Sequence, residues 1–164
     1  DNCNISIDGR MYNLNEDEIR INCGFVHQET YLLDDTIKKN IAIGLLVEEI
    51  NEKILDEVIK KARLENFIKT LPNGFNTIVG EKGSQISVGQ AQRIGIARTL
   101  YHNPDLIIFD EATSALDNEN AIQIIDMINE IKTNKAIIFI SHDLNHQNKF
   151  DKTIEIINGK LFSV

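Results

Sequence analysis

Two adjacent carboxylates, Asp110 and Glu111, end the apolar run Leu106-Ile107-Ile108-Phe109. Such a run reads as a buried strand, and parallel sheets collect their ligands at the carboxyl ends of the strands. Both acids are therefore expected where a phosphate and a metal ion would sit. Asp110 can hold Mg²⁺, usually through water, while Glu111 can orient and deprotonate an attacking water. The same spacing also suits an Asp that caps the following helix beside a Glu left in solvent.

Three other positions offer chemistry of a matching kind. Ser87-Val88-Gly89-Gln90 stands where a glycine-containing loop, Thr77 to Gln90, runs into a helix. Unpaired N–H groups and the positive helix end make such a junction an anion site within reach of the Ser87 hydroxyl; N-capping by Ser87 is the alternative. His142 follows the strand-like run Ala136 to Ile140 and Ser141, where an imidazole can donate to a γ-phosphate oxygen or simply face water. Gln28 follows the apolar run Ile21 to His27. All four features fall at strand ends or helix starts on one predicted edge of a sheet.

The elements that must position them alternate in kind. Ile5 and Ile7 lead into an Asp8-Gly9 turn, and a polar linker, Asn13 to Glu18, precedes the strand Ile21 to His27, which is expected to be buried on both faces. Ile50, Ile54, Val58, Ile59 and Ala62 recur at helical spacing, predicting one amphipathic helix over about Val47 to Leu64. A short helix, Glu65 to Leu71, stops at Pro72-Asn73-Gly74, and another runs from Gln90 to Tyr101 before Pro104. Strand Leu106 to Asp110, helix Asn118 to Lys132 and strand Lys135 to Ser141 follow. In that helix Ile122, Ile125, Met127, Ile128 and Ile131 are expected to face inward. Lys152 to Ile157 and Lys160 to Phe162 close at Asn158-Gly159, a type I′ hairpin signal. Strands alternating with helices imply an α/β fold with a parallel sheet covered on both faces.

Composition bounds the function. With 164 residues, 42% hydrophobic and 26% charged, the chain has the size and mix of one globular domain. No apolar run approaches the ~20 residues that cross a bilayer, and no basic leader with a hydrophobic stretch begins the sequence, so a cytosolic setting is expected. A net charge of −8, from 17 Lys and Arg against 25 Asp and Glu, argues against a nucleic-acid partner. It leaves nucleotides open, since backbone N–H groups, one lysine and a metal ion can hold phosphates. Cys3 and Cys23 do not make a CxxC element and are expected to be free thiols.

Taken together these motifs resemble the ATP-binding cassette of ABC transporters over essentially the whole chain. Phe25-Val26-His27-Gln28 resembles the Q-loop, and Ile86-Ser87-Val88-Gly89-Gln90 with Ala91-Gln92-Arg93-Ile94 and Ile96-Ala97-Arg98 resembles the LSGGQ signature and its continuation. Leu106 to Glu111 resembles Walker B with the catalytic glutamate, Ser114-Ala115-Leu116-Asp117 the D-loop, and His142 the switch histidine. Tyr31 to Ile41 and Thr77 to Gly83 resemble segments of exporter-type cassettes, which makes Glu81 a candidate relay residue toward membrane helices.

The resemblance implies a P-loop NTPase-type three-layer parallel sheet with a helical signature subdomain, divided as 1–29 (core strands and Q-loop), 30–101 (helical subdomain) and 102–164 (Walker B onward). It implies ATP and Mg²⁺ as ligands, with Asp110 and Gln28 toward the metal and Glu111 as general base. His142 would stabilise the γ-phosphate, and Ser87, Gly89 and Gln90 would reach the nucleotide of a second copy. Asp117 would join the two sites. The implied partners are a transmembrane domain and a second cassette in a head-to-tail dimer, at the cytoplasmic face of a membrane.

Two departures stand out. Val88 occupies a signature position where the family has glycine, and a β-branched residue resists φ > 0 and crowds an approaching phosphate. No GxxxxGK[ST] occurs in the sequence, because Gly159-Lys160 is followed by Leu161. The expectation is therefore an incomplete cassette whose N-terminal strands and phosphate loop lie outside the chain, and which binds ATP poorly alone. The rivals are a non-catalytic cassette that lends its signature loop in trans, and the head of a chromosome-maintenance ATPase.

Overall fold

The computed structural model describes residues 4–7, 9–13, 21–81, 86–132 and 135–163. Cys3, Asp8, most of the Asn13 to Glu18 linker, Lys82 and Gly83 lie outside them. The centre is a parallel three-stranded sheet in the order β3 (Cys23–Val26), β4 (Leu106–Asp110), β5 (Ala136–Ile140). Phe25 stands beside Ile108 and Ile108 beside Ile138, which brings the carboxyl ends of all three strands to one edge. Two antiparallel hairpins complete the strands of the described residues: β1 (Asn4–Ile7) with β2 (Arg10–Asn13), and β6 (Ile154–Ile157) with β7 (Lys160–Ser163). The second turns at Asn158 and Gly159, both at positive φ (49° and 75°), as the type I′ signal requires. Strand β2 falls where the sequence suggested the approach to a linker.

Among the described residues the α-helices are α1 (Ile37–Ile41), α2 (Glu52–Lys61), α3 (Glu65–Thr70), α4 (Val88–Tyr101) and α5 (Asn118–Ile131). The single helix expected over Val47 to Leu64 is broken. Val47–Glu49 is one 3-10 turn, and Asn51 starts α2 afresh because its Oδ1 accepts from Lys53 N–H and Ile54 N–H. At the other end Arg63 takes the left-handed position (φ 54°) and Leu64 N–H returns to the Ile59 carbonyl, a Schellman closure. Inside α2 the buried positions are Leu55, Val58 and Ile59, while Ile54, expected inward, is 38% exposed. Ile122 of α5 is likewise exposed, its place in the core taken by Ile124.

Helix α4 lies between β3, α1 and α2 and is buried along nearly its whole length from Gln92 to Tyr101. Its approach to the sheet is close at Gly24, where an added Cβ would overlap Thr99 Cγ2 and stand 2.9 Å from Pro104 Cγ. Val26, Ile107 and Phe109 point to this covered side and join one core with Ile94, Ala97, Ile124 and Ile128. Each of these valine, isoleucine and phenylalanine side chains contributes about 1.5 to 3 kcal/mol when fully buried. The other face carries Phe25 (42% exposed), Ile138 and Ile140, so the strand Ile21 to His27 is not buried on both sides as expected. Alternation along β3 and β5, rather than a run of buried residues, follows from cover on one face among the described residues. None of their helices is long and apolar enough to cross a membrane.

Candidate functional site at the carboxyl edge of the sheet

Strand β4 delivers Asp110 as its last residue, and Glu111 N–H continues the pairing by donating to the Ile140 carbonyl at 3.0 Å. Glu111 itself takes a left-handed backbone, φ 49°, which costs a non-glycine residue about 1 to 2 kcal/mol. Its carbonyl is held by two donors from Ser114, the N–H at 3.0 Å and Oγ at 2.8 Å. That strained turn aims the carboxylate across the edge to His142, with Oε1 3.1 Å from Nε2. His142 is reached through Ser141 directly after β5, whose Oγ accepts from Asp143 N–H at 3.0 Å and tightens the turn. Glu111 is half-buried and His142 almost fully open. Two of the four sequence features thus meet as side chains, and adjacent strand ends bring them together.

Among the described residues no three His, Cys, Asp or Glu side chains converge on a metal ion. Asp110 and Glu111 nonetheless offer hard oxygen donors side by side at the ligand edge. One or two carboxylates completed by substrate phosphates is the donor set Mg²⁺ takes, so the residues fit. Gln28 is exposed two residues beyond the end of β3.

The signature segment forms a second cluster. Ser87 is the N-cap of α4, its Oγ accepting from Gln90 N–H at 3.2 Å, while Gln90 Oε1 accepts from Ser87 N–H at 2.9 Å. This reciprocal box fixes the capping alternative as a fact and engages the Gln90 side-chain carbonyl in it. Ser87 remains exposed, at the positive end of a 14-residue helix. Gly89 faces Asn120, whose Oδ1 would lie 3.6 Å from an added Cβ. Asp117 caps α5, accepting from Asn120 N–H at 2.9 Å and from Asn120 Nδ2 at 2.6 Å. Those bonds hold the Asp117 carboxyl below its usual value. Sequence reasoning missed Asn120; its signal is the cap spacing Asp117-x-x-Asn120.

Beside this cluster lies an open cleft of about 380 Å³, lined by Arg63, Asn66, Ser87, Gly89, Asn120 and Gln123 among others. Arg93 at its base donates to Gln123 Oε1 at 2.8 Å, and burial, then the neighbouring Arg63 charge, lowers its pKa. Val88 is the first residue of α4 and is not among the positive-φ residues. The concern that valine would resist a left-handed backbone is therefore removed, and only its exposed bulk remains.

A parallel α/β sheet with an Asp-Glu pair and a histidine at its carboxyl edge, served by a capped helix start, defines the class of P-loop NTPase nucleotide-binding domains. Comparison with known proteins narrows it. The family model "ABC transporter" matches residues 2–114, and the chain belongs to that family. It is 42% identical over 158 residues to the ATP-dependent lipid A-core flippase of Saccharophagus degradans, covering 96% of this chain and 27% of that protein. It is 40% identical over 161 residues to multidrug resistance protein pgp-1 of Caenorhabditis elegans, covering 98% of this chain and 12% of that one. Among solved structures, a bacterial Atm1-family ABC exporter with ATP bound superposes with a TM-score of 0.73 at 36% identity, over 85% of this chain and 24% of that one. The chain therefore spans about a quarter or less of these relatives.

Proposed function

We propose that the chain is the signature and water-activating part of an exporter's nucleotide-binding domain, hydrolysing ATP to move a substrate across a membrane. The observation that carries this reading is the Glu111–His142 contact of 3.1 Å at the ends of two adjacent parallel strands. Support comes from the family match and from relatives described as a flippase and a multidrug resistance protein.

Glu111 accepts the proton of an attacking water, and the strained backbone at φ 49° keeps its carboxylate at the edge where that water arrives. His142 holds the carboxylate from one side and presents its ring to a γ-phosphate oxygen. Asp110 and Gln28 would hold Mg²⁺, which when bound neutralises charge on the transferring phosphoryl group. Ser87 and the Gly89 N–H reach the nucleotide of a second cassette, with Gln90 bracing the turn and Asp117 joining the sites. The phosphate cradle has to come from outside these 164 residues, which contain no GxxxxGK[ST]. The second cassette and a transmembrane domain are the proposed partners, and the cytoplasmic face of the membrane the proposed place.

The test is Glu111→Gln in the intact transporter: ATP binding is retained and phosphate release is lost. Turnover at the parental rate removes the base assignment.

A further inference from the structure

We infer that Gln92 is a positioning residue for Gln28, and that it ties the placement of Gln28 to the same helix that presents Ser87. The inference rests on the proposed place of Gln28 in the hydrolytic site. Gln92 is 1% exposed, on the face of α4 turned to the end of β3. Its Nε2 donates to the His27 carbonyl at 2.9 Å, and its Oε1 accepts from Thr30 Oγ1 at 2.8 Å. One buried amide thus grips the chain on both sides of Gln28, at the residue before it and two residues after it. The direction of the amide is fixed, since the His27 carbonyl can only accept.

The grip is reinforced one turn on. At Gly95 an added Cβ would stand 2.6 Å from Thr30 Oγ1 and 2.8 Å from Thr30 Cγ2, so only glycine lets Thr30 reach the helix. Thr99 Oγ1, which donates to the Gly95 carbonyl at 3.1 Å, also stands 3.4 Å from the Phe25 carbonyl. Gln92, Gly95 and Thr99 are spaced to lie on one face of α4. Ser87 begins the same helix five residues earlier, about 7.5 Å along the axis. Gln28 has no hydrogen bond of its own to hold it among the described contacts, and it is exposed. Its position is therefore inherited from Gln92, and a shift of α4 that moves Ser87 carries the backbone on both sides of Gln28 with it. A buried amide left without partners is costly, so the two hydrogen bonds keep the segment from sliding along α4.

The experiment uses the intact transporter with Gln92→Met, which keeps length and loses both bonds, and Thr30→Val, which removes one hydroxyl at a half-buried position and does not threaten folding. Hydrogen exchange without nucleotide is expected to speed up across residues 27–31 in both variants and to stay unchanged in α5. ATP turnover is expected to fall by about 10- to 100-fold in kcat for Gln92→Met, less for Thr30→Val, with KM for ATP within about twofold, as for a misplaced group at the reacting end. Combining Gln92→Met with Gln28→Ala should add little to Gln28→Ala alone, because Gln92 acts through Gln28. Additive losses, or faster exchange throughout the fold with no change specific to 27–31, overturn the inference. If Gln28→Ala by itself leaves turnover intact, the reading of Gln28 fails and takes the inference with it, and that result is separate from a harmless Gln92→Met beside a damaging Gln28→Ala.

Discussion

Glu111 and His142 meet across the ends of β4 and β5, Oε1 to Nε2 at 3.1 Å, with Glu111 held in a left-handed backbone by its bonds to Ile140 and Ser114. Removing either partner tests the pair. His142→Ala is expected to lower kcat by about 10² to 10⁴, the range of a lost acid–base or orienting group, while binding of a fluorescent ATP analogue persists. Parental phosphate release in His142→Ala would show that the contact is structural only.

Val88 separates backbone need from side-chain bulk. Because α4 already starts at Val88 without positive φ, glycine has no conformational advantage there. Val88→Ala and Val88→Gly are expected to raise ATP turnover of the intact transporter to the same level, within about twofold, by opening the approach to Ser87 and Gly89. A large advantage of glycine over alanine contradicts this.

Gly24 reports how closely α4 sits on the sheet. Gly24→Ala forces a methyl into Thr99 Cγ2 and against the Pro104 ring, and is expected to cost about 1 to 3 kcal/mol in thermal or urea unfolding. Adding Thr99→Ser, which deletes the offending methyl, should recover part of the loss. No recovery would place the strain elsewhere.

Asp117 carries a pH signature. Hydrogen bonds from Asn120 lower its folded pKa, so its stabilising contribution is complete above the unfolded value of about 3.9 and is lost as pH falls through the lower folded value. Asp117→Asn keeps an N-cap and cannot titrate. The stability difference between parent and variant, followed by denaturant unfolding, is expected to favour the parent near pH 6 and to shrink as pH drops below about 4. Solvent exposure keeps this effect small. A difference that does not depend on pH would rule out the charged cap.

Much of the site was legible because chemistry and local signals coincide. The run ending in Asp110-Glu111, the Ser87 cap with Gln90 three residues on, and the Asn158-Gly159 turn are each specified within a few residues. The break at Asn51, the exposure of Ile54 and the one-sided cover of β3 were not, since a helical period does not say whether a capping Asn will start a new helix or what packs above a strand. In the sequence Gln92 is only one residue of a motif. Its meaning depends on His27 and Thr30, more than sixty residues away, to which only folding brings it.

By itself the sequence determined an α/β order of elements with acids, a serine and a histidine at their ends, and its motifs carried the resemblance to the ABC transporter family. Residue type and short-range spacing suffice for the element ends, because strand runs, caps and turns are local. Only the tertiary structure decided which of those residues touch. Parallel pairing of β4 with β5 brings Glu111 to His142, and packing of α4 on β3 puts a buried amide on both sides of Gln28. Such contacts arise from the register and burial of distant segments, which no local pattern encodes.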